Sequence, residues 1–228
     1  MPHVKFILPT APTNPVTMNM GMAMPSWYDI VGLDERSNEN CAGIAESQAR
    51  IAGILDQEHA DTGLPYDRMV LAGFSQGGAL SLYTGMQLPE KLAAVVVMSG
   101  YLPHASAFQV QQPSVPVWHG HGTQDMVVRY SLAEKSRDAV VSKGAENYTV
   151  HKYPIAHTVS PEEIGDVLQF LLTRIPDDAT CRIKLQDPAE MSVKELKVAI
   201  RKAGLTSQSV GLMEKFEFVK LLQDHRAK

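Results

Sequence analysis

Gly73-Phe74-Ser75-Gln76-Gly77 is the stretch of this chain whose residue types and spacing could do covalent chemistry. A serine between two glycines, placed where a strand turns sharply into a helix, is a nucleophile elbow: the glycines leave room for the tight backbone and the hydroxyl stands clear of the sheet. The following amide, that of Gln76, would face the oxygen that turns negative in a tetrahedral intermediate, with the positive end of a helix behind it. The bland reading of the same pentapeptide is a Gly/Ser turn with a helix-capping serine.

A serine hydroxyl is a weak nucleophile until a base takes its proton, so an acid and a histidine should follow in the order Ser, Asp, His. Asp125 ends the segment His119-Gly120-His121-Gly122-Thr123-Gln124-Asp125, and His157 ends Tyr153-Pro154-Ile155-Ala156-His157. Both are expected in loops that leave the C-terminal ends of strands, the edge that also carries Ser75. Singly, Asp125 reads as a turn aspartate and His157 as a capping or surface histidine; three correctly ordered strand-end residues argue for a triad. His119 and His121 are expected in the Asp125 loop, with their glycines serving a tight turn. They are not expected to bind metal, since no third His or Cys ligand is near. Asp138, the other aspartate between Ser75 and His157, falls within an expected helix and reads as a surface carboxylate.

These residues need a scaffold that brings strand ends together, and the hydrophobic pattern supplies one. Strands are expected at Arg68 to Ala72, Ala93 to Met98, Val115 to Trp118 and Tyr148 to Tyr153. Helices are expected around Ile44 to Leu55, Ala79 to Met86, Leu132 to Val140 and Pro161 to Arg174. The run Ala93 to Met98 is apolar throughout, as in a strand covered on both faces. Alternating strand and helix give an α/β fold: a mostly parallel sheet with helices on both faces and its site at the C-terminal strand ends. Val4 to Leu8 is a β-prone run, followed by an expected loop holding Met18, Met20, Met22 and Met24. That loop reads as an irregular segment on the core, and alternatively as an apolar, substrate-facing surface.

Pro176-Asp177-Asp178 breaks the last of these helices. The organisation read from the pattern is a domain over 1–175, a linker over 176–189, and a helix-loop-helix over 190–228. In the last, Val193, Leu196, Ile200 and Ala203 share a face, and Phe216, Val219 and Leu222 signal a second helix.

The 228 residues are 44% hydrophobic and 20% charged, which excludes a disordered or collagen-like chain. A net charge of −4 gives no electrostatic footprint for nucleic acid over the whole chain. Residues 177–228 hold ten Lys/Arg against eight Asp/Glu, a balance of +2, which leaves −6 on residues 1–176. Two cysteines, Cys41 and Cys181, offer neither a disulfide framework nor zinc spacing. With no signal-like leader and no long apolar run, the chain reads as cytoplasmic, with at most peripheral membrane contact.

At the residues above, the chain resembles the phospholipase/carboxylesterase family of α/β-hydrolases, most closely its acyl-protein thioesterases and lysophospholipases. The resemblance rests on Pro9 to Pro12, Met24 to Ile30, Gly73 to Ala79, the loop ending at Asp125, and His157. It implies hydrolysis of acyl esters or thioesters through an acyl-serine. Ser75 is then the nucleophile, His157 the base and later the acid, Asp125 its orienter, and the Gln76 amide an oxyanion donor. It implies no cofactor; the partner is an acylated protein or a lipid or small ester. Trp27, Met22 and Met24 are expected to bind an apolar acyl group. Complete members carry further N-terminal residues, including early strands and a loop with a second oxyanion donor. A chain without them is expected to be slower by about 10²–10³ and to expose a sheet edge open to self-association.

The tail resembles a SAP-like helix-loop-helix at Ser192 to Lys197 and Glu214 to Phe216. Lys194, Lys197 and Arg201 share a helical face there. They read as the solvated side of an amphipathic helix, and stable nucleic-acid binding is not expected. The competing reading for the whole chain is a hydrolase-derived interaction protein with impaired catalysis, whose helical tail binds a partner or nucleic acid.

Overall fold

The computed structural model describes residues 1, 3–33, 39–181 and 186–226. The chain divides into two compact units, residues 1–181 and 182–228. The centre of the expected linker, residues 182–185, lies outside the described residues.

A short antiparallel hairpin opens the first unit, β1 (Thr13–Val16) with β2 (Met22–Pro25). It occupies the segment expected to be a loop. Four parallel strands follow: β3 (Val70–Phe74), β4 (Ala94–Met98), β5 (Val117–Gly122) and β6 (Tyr148–Tyr153), side by side in that order. The helices between and around them are α1 (Ile44–Thr62), α2 (Gln76–Gly85), α3 (Tyr130–Ser142) and α4 (Pro161–Arg174). The sheet is covered on both sides, and the period of two in β4 and β5 sorts the side chains. Val95, Val97 and Val117 enter a core built with Ile51 and Leu55 of α1, Leu82 of α2 and Val140 of α3. Val96 and Trp118 enter a second core with Tyr153 and Val167 of α4. Val95, Val96 and Val97 are fully buried, each worth roughly 1.5–3 kcal/mol by the usual transfer scale. A charge at any of them would therefore break one of the two cores.

Local signals set the helix ends. Ser160 caps α4 by accepting from the Glu163 N–H at 3.1 Å, and Pro161 takes the first helical position, where its missing N–H costs nothing. α1 stops where the Gly63 N–H bonds the His59 carbonyl. In α4, Val167 is buried while Ile164, Leu168 and Leu172 stay exposed.

Two expectations are corrected here. Val4 to Leu8 pairs with no strand among the described residues, and Phe6 and Leu8 are exposed; a β-prone run becomes a strand only where another backbone meets it. The segment His119 to Gly122 belongs to β5 and is not a turn. Gly120 serves packing there: a Cβ would overlap the Glu163 carboxylate and the Trp118 ring on the α4 face.

The second unit pairs α5 (Val193–Lys202) with α6 (Lys215–Arg226). A capping box starts α5, with Ser192 and Glu195 bonding each other's backbone N–H. Leu196, Ile200, Leu205, Phe218 and Leu222 form its core. Phe216 is 69% exposed, because it lies two residues, about 200° of helix, from Phe218. Lys194, Lys197 and Arg201 are exposed. Among the described residues no helix is long and apolar enough to cross a membrane.

Candidate active site

Ser75 occupies the single residue between β3 and α2, at φ 53° and ψ −122°. A non-glycine residue in that region is strained by roughly 1–3 kcal/mol, and such strain persists only where the surroundings fix it. The Ser75 N–H donates to the Met98 carbonyl of β4 at 2.8 Å, and the Ser75 carbonyl accepts from the Ala79 N–H at 2.9 Å. Gly73 is required because a Cβ there would run into the backbone of Gly77, which the sharp turn folds back against it. The Ser75 side chain makes no capping bond to α2, which removes the capping reading of this serine. Its hydroxyl faces His157 Nε2 at 2.9 Å instead.

His157 reaches that point from the loop after β6. The loop is tied to the one after β5 by Thr123 N–H to the Tyr153 carbonyl at 2.8 Å and Gln124 N–H to the Ile155 carbonyl at 3.0 Å. His157 Nδ1 lies 2.6 Å from Asp125 Oδ2, and the other carboxylate oxygen, Oδ1, accepts from the N–H groups of Val127 and Val128 at 2.8 and 2.9 Å. With Asp125 as acceptor the ring carries its proton on Nδ1, and Nε2 is left bare to receive the serine proton. The Asp125 side chain is fully buried, while that of His157 keeps 18% of its surface. The structure thus brings together the three residues picked from sequence. It leaves Asp138 on the surface of α3, paired with Arg137 at 2.7 Å.

Gln76 contributes in two ways. Its backbone N–H belongs to the first turn of α2, where amides lack an intrahelical partner. Its side chain brackets the segment after β2: Oε1 accepts from the Trp27 N–H at 3.0 Å, and Nε2 donates to Ser26 Oγ and to the Tyr28 carbonyl at 2.9 Å each. Trp27 is half-buried against the core beneath Arg50. Met22 and Met24 lie exposed on the hairpin strand that leads into this bracket.

The sequence reading missed three parts of the site. Phe74 lays its ring 4.8 Å from that of His157. The Gln76 side chain is a bracket as well as the neighbour of the nucleophile. His119 and His121 sit fully buried beneath Asp125, and their i, i+2 spacing would have put them on one face had the strand been drawn through His121. All four of their ring nitrogens are engaged within the protein.

Comparison with known proteins finds relatives over most of the chain. Residues 1–175 match the model of the Phospholipase/Carboxylesterase family. Acyl-protein thioesterase 1 of Yarrowia lipolytica is 40% identical over 185 residues, covering 77% of this chain and 80% of the relative. Acyl-protein thioesterase 1 homolog 1 of Dictyostelium discoideum is 38% identical over 180 residues, covering 76% and 78%. Among solved structures, Zea mays acyl-protein thioesterase 2 superposes with a TM-score of 0.64 at 28% identity, over 73% of this chain and 80% of that one. Arabidopsis thaliana SOBER1 gives 0.64 at 27%, over 74% and 83%.

Proposed function

The chain belongs to the phospholipase/carboxylesterase family, and from that premise we propose that it hydrolyses acyl esters and thioesters through an acyl-serine, with an acylated protein or a small acyl ester as substrate. The observation that carries this reading is the unbroken line from Ser75 Oγ to His157 at 2.9 Å and from His157 to Asp125 at 2.6 Å.

The steps follow from the geometry. His157 Nε2 takes the Ser75 proton as Oγ attacks the acyl carbon, and the carbonyl oxygen becomes an oxyanion opposite the Gln76 N–H and the N-terminus of α2. Asp125 stabilises the imidazolium without itself taking the proton. The tetrahedral intermediate collapses, the bond from the acyl carbon to the leaving oxygen or sulfur breaks, and His157 returns the proton to the departing alcohol or thiol. Water then gives a proton to His157, attacks the acyl-serine and releases the carboxylic acid, and the proton goes back to Ser75. Met22, Met24 and Trp27 suit an apolar acyl chain, with exposed Phe74 and Met126 adding apolar surface beside His157 and Asp125.

A fluorophosphonate probe tests the proposal. It should label the wild-type chain at Ser75, and Ser75→Ala should lose both the label and the hydrolysis of a palmitoyl thioester peptide. Labelling or hydrolysis that survives Ser75→Ala would refute it.

A further inference from the structure

Behind the triad a second line of hydrogen bonds runs into the fold. The turn from Asp125 to Val128 holds the carboxylate through the two N–H bonds to Oδ1; Met126 and Val127 are exposed, while the Val128 side chain is buried in the core. The Val128 side chain sets the depth of the turn, and its polar anchor lies underneath: the Val128 carbonyl accepts from His121 Nε2 at 2.7 Å. The direction of the rest follows from counting protons. A carbonyl can only accept, so Nε2 of His121 carries the proton and its Nδ1 is bare. That Nδ1 then accepts from His119 Nε2 at 3.3 Å, and the bare Nδ1 of His119 accepts from the Tyr148 hydroxyl at 2.8 Å. The line reads in one direction only.

Both rings must be neutral for it to hold, and their surroundings keep them so. Burial above all, then the neighbouring His121 and the more distant His151, push His119 down to about 3 against the pull of the Gly100 carbonyl. Burial also lowers His121, with His157 acting the same way and the Val128 carbonyl and Asp125 acting oppositely. Tyr130 of α3 meets the His121 ring edge-on at 6.0 Å and limits its tilt.

We propose that His121 and His119, anchored at Tyr148, are positioning residues for the hydrolysis, holding the 125–128 turn and through it the carboxylate that orients His157. The inference rests on the Ser75, His157 and Asp125 roles proposed above. A carboxylate displaced by about 1 Å would misaim the base, an error that costs up to about 100-fold in rate.

The test uses the full chain and a short p-nitrophenyl ester, with active sites counted by fluorophosphonate titration and folding checked by near-UV circular dichroism. His121→Ala should lower kcat per titrated site by about 10- to 100-fold with KM unchanged. His121→Gln, whose amide can donate to Val128 and accept from His119, should recover most of it. Folded His121→Ala with wild-type kcat per titrated site, or a Gln variant no better than Ala, would overturn the proposal. Should His121→Ala not fold, His119→Leu decides in its place: a fall in kcat with KM unchanged supports the line and an unchanged kcat overturns it. Ser75→Ala run alongside separates the two readings. If it retains activity the triad itself fails, and if it is dead while the histidine variants are normal only the positioning role fails.

Discussion

Replacing Asp125 by asparagine swaps one atom, and the structure determines what that atom does. The amide has two ways to sit. With its NH2 toward Val127 and Val128, it would set a donor against two backbone N–H groups in a fully buried site; two unmade hydrogen bonds cost roughly 1–3 kcal/mol each. With its oxygen there instead, both backbone bonds survive and the NH2 faces His157 Nδ1. The second arrangement wins by several kcal/mol. It forces Nδ1 to accept, moves the ring proton to Nε2, and points a donor at Ser75, so the serine proton has nowhere to go. The loss is that of a wrong tautomer, about 10⁴ in kcat, or about 5.5 kcal/mol of barrier. Folding should change little, because the hydrogen-bond count is kept. Stopped-flow hydrolysis of p-nitrophenyl butyrate should therefore show kcat down about 10⁴-fold with KM nearly unchanged and the melting temperature close to wild type. A kcat within tenfold of wild type would refute the tautomer argument and Asp125 as orienter. Asp138 could not inherit the role, since it is exposed and held by Arg137.

Acid should weaken the fold through His119, whose folded pKa of about 3 lies below the unfolded value near 6.5: its contribution is complete above the unfolded pKa and is lost as pH falls below it, by about 2 kcal/mol between pH 8 and pH 5. His119→Gln, which keeps a donor toward His121 but cannot titrate, should flatten that part of the slope in urea unfolding; an equally steep loss in the variant would contradict the burial argument. Ser75→Gly should be inactive yet more stable by about 1 kcal/mol, because glycine relieves the positive φ at the elbow, and a lower melting temperature would show that the turn is not strained. Met22→Ser combined with Met24→Ser should raise KM for a long-chain acyl thioester by about fivefold while sparing acetate esters, and equal effects on both substrates would remove the hairpin from acyl binding.

The sequence by itself picked out, in order, the three residues that the structure brings together, and the scaffold that carries them. Gly73 to Gly77 is legible because a strand-to-helix elbow has local requirements: small residues where the backbone folds on itself and a helix start just after. The apolar run of β4 announced its burial on both faces, because hydrophobic period is a pattern among residues a few positions apart; the caps at Ser160 and at Ser192 with Glu195 are equally local but emerged only with the structure. The tertiary structure decided everything that depends on meeting a distant part of the chain. The Met-bearing segment became a hairpin because β1 found β2, whereas Val4 to Leu8, equally β-prone, pairs with no strand among the described residues. Gly120 looked like a turn glycine, but Glu163, forty-three residues on, and Trp118 fill the place of its side chain, so β5 continues through His121. That continuation put two histidines side by side under Asp125, facing Tyr148 from the next strand. Local pattern fixes which hydrogen bonds a segment can make within itself; pairing, register and the partner of a buried polar group are set across the fold, by residues that sequence distance does not relate.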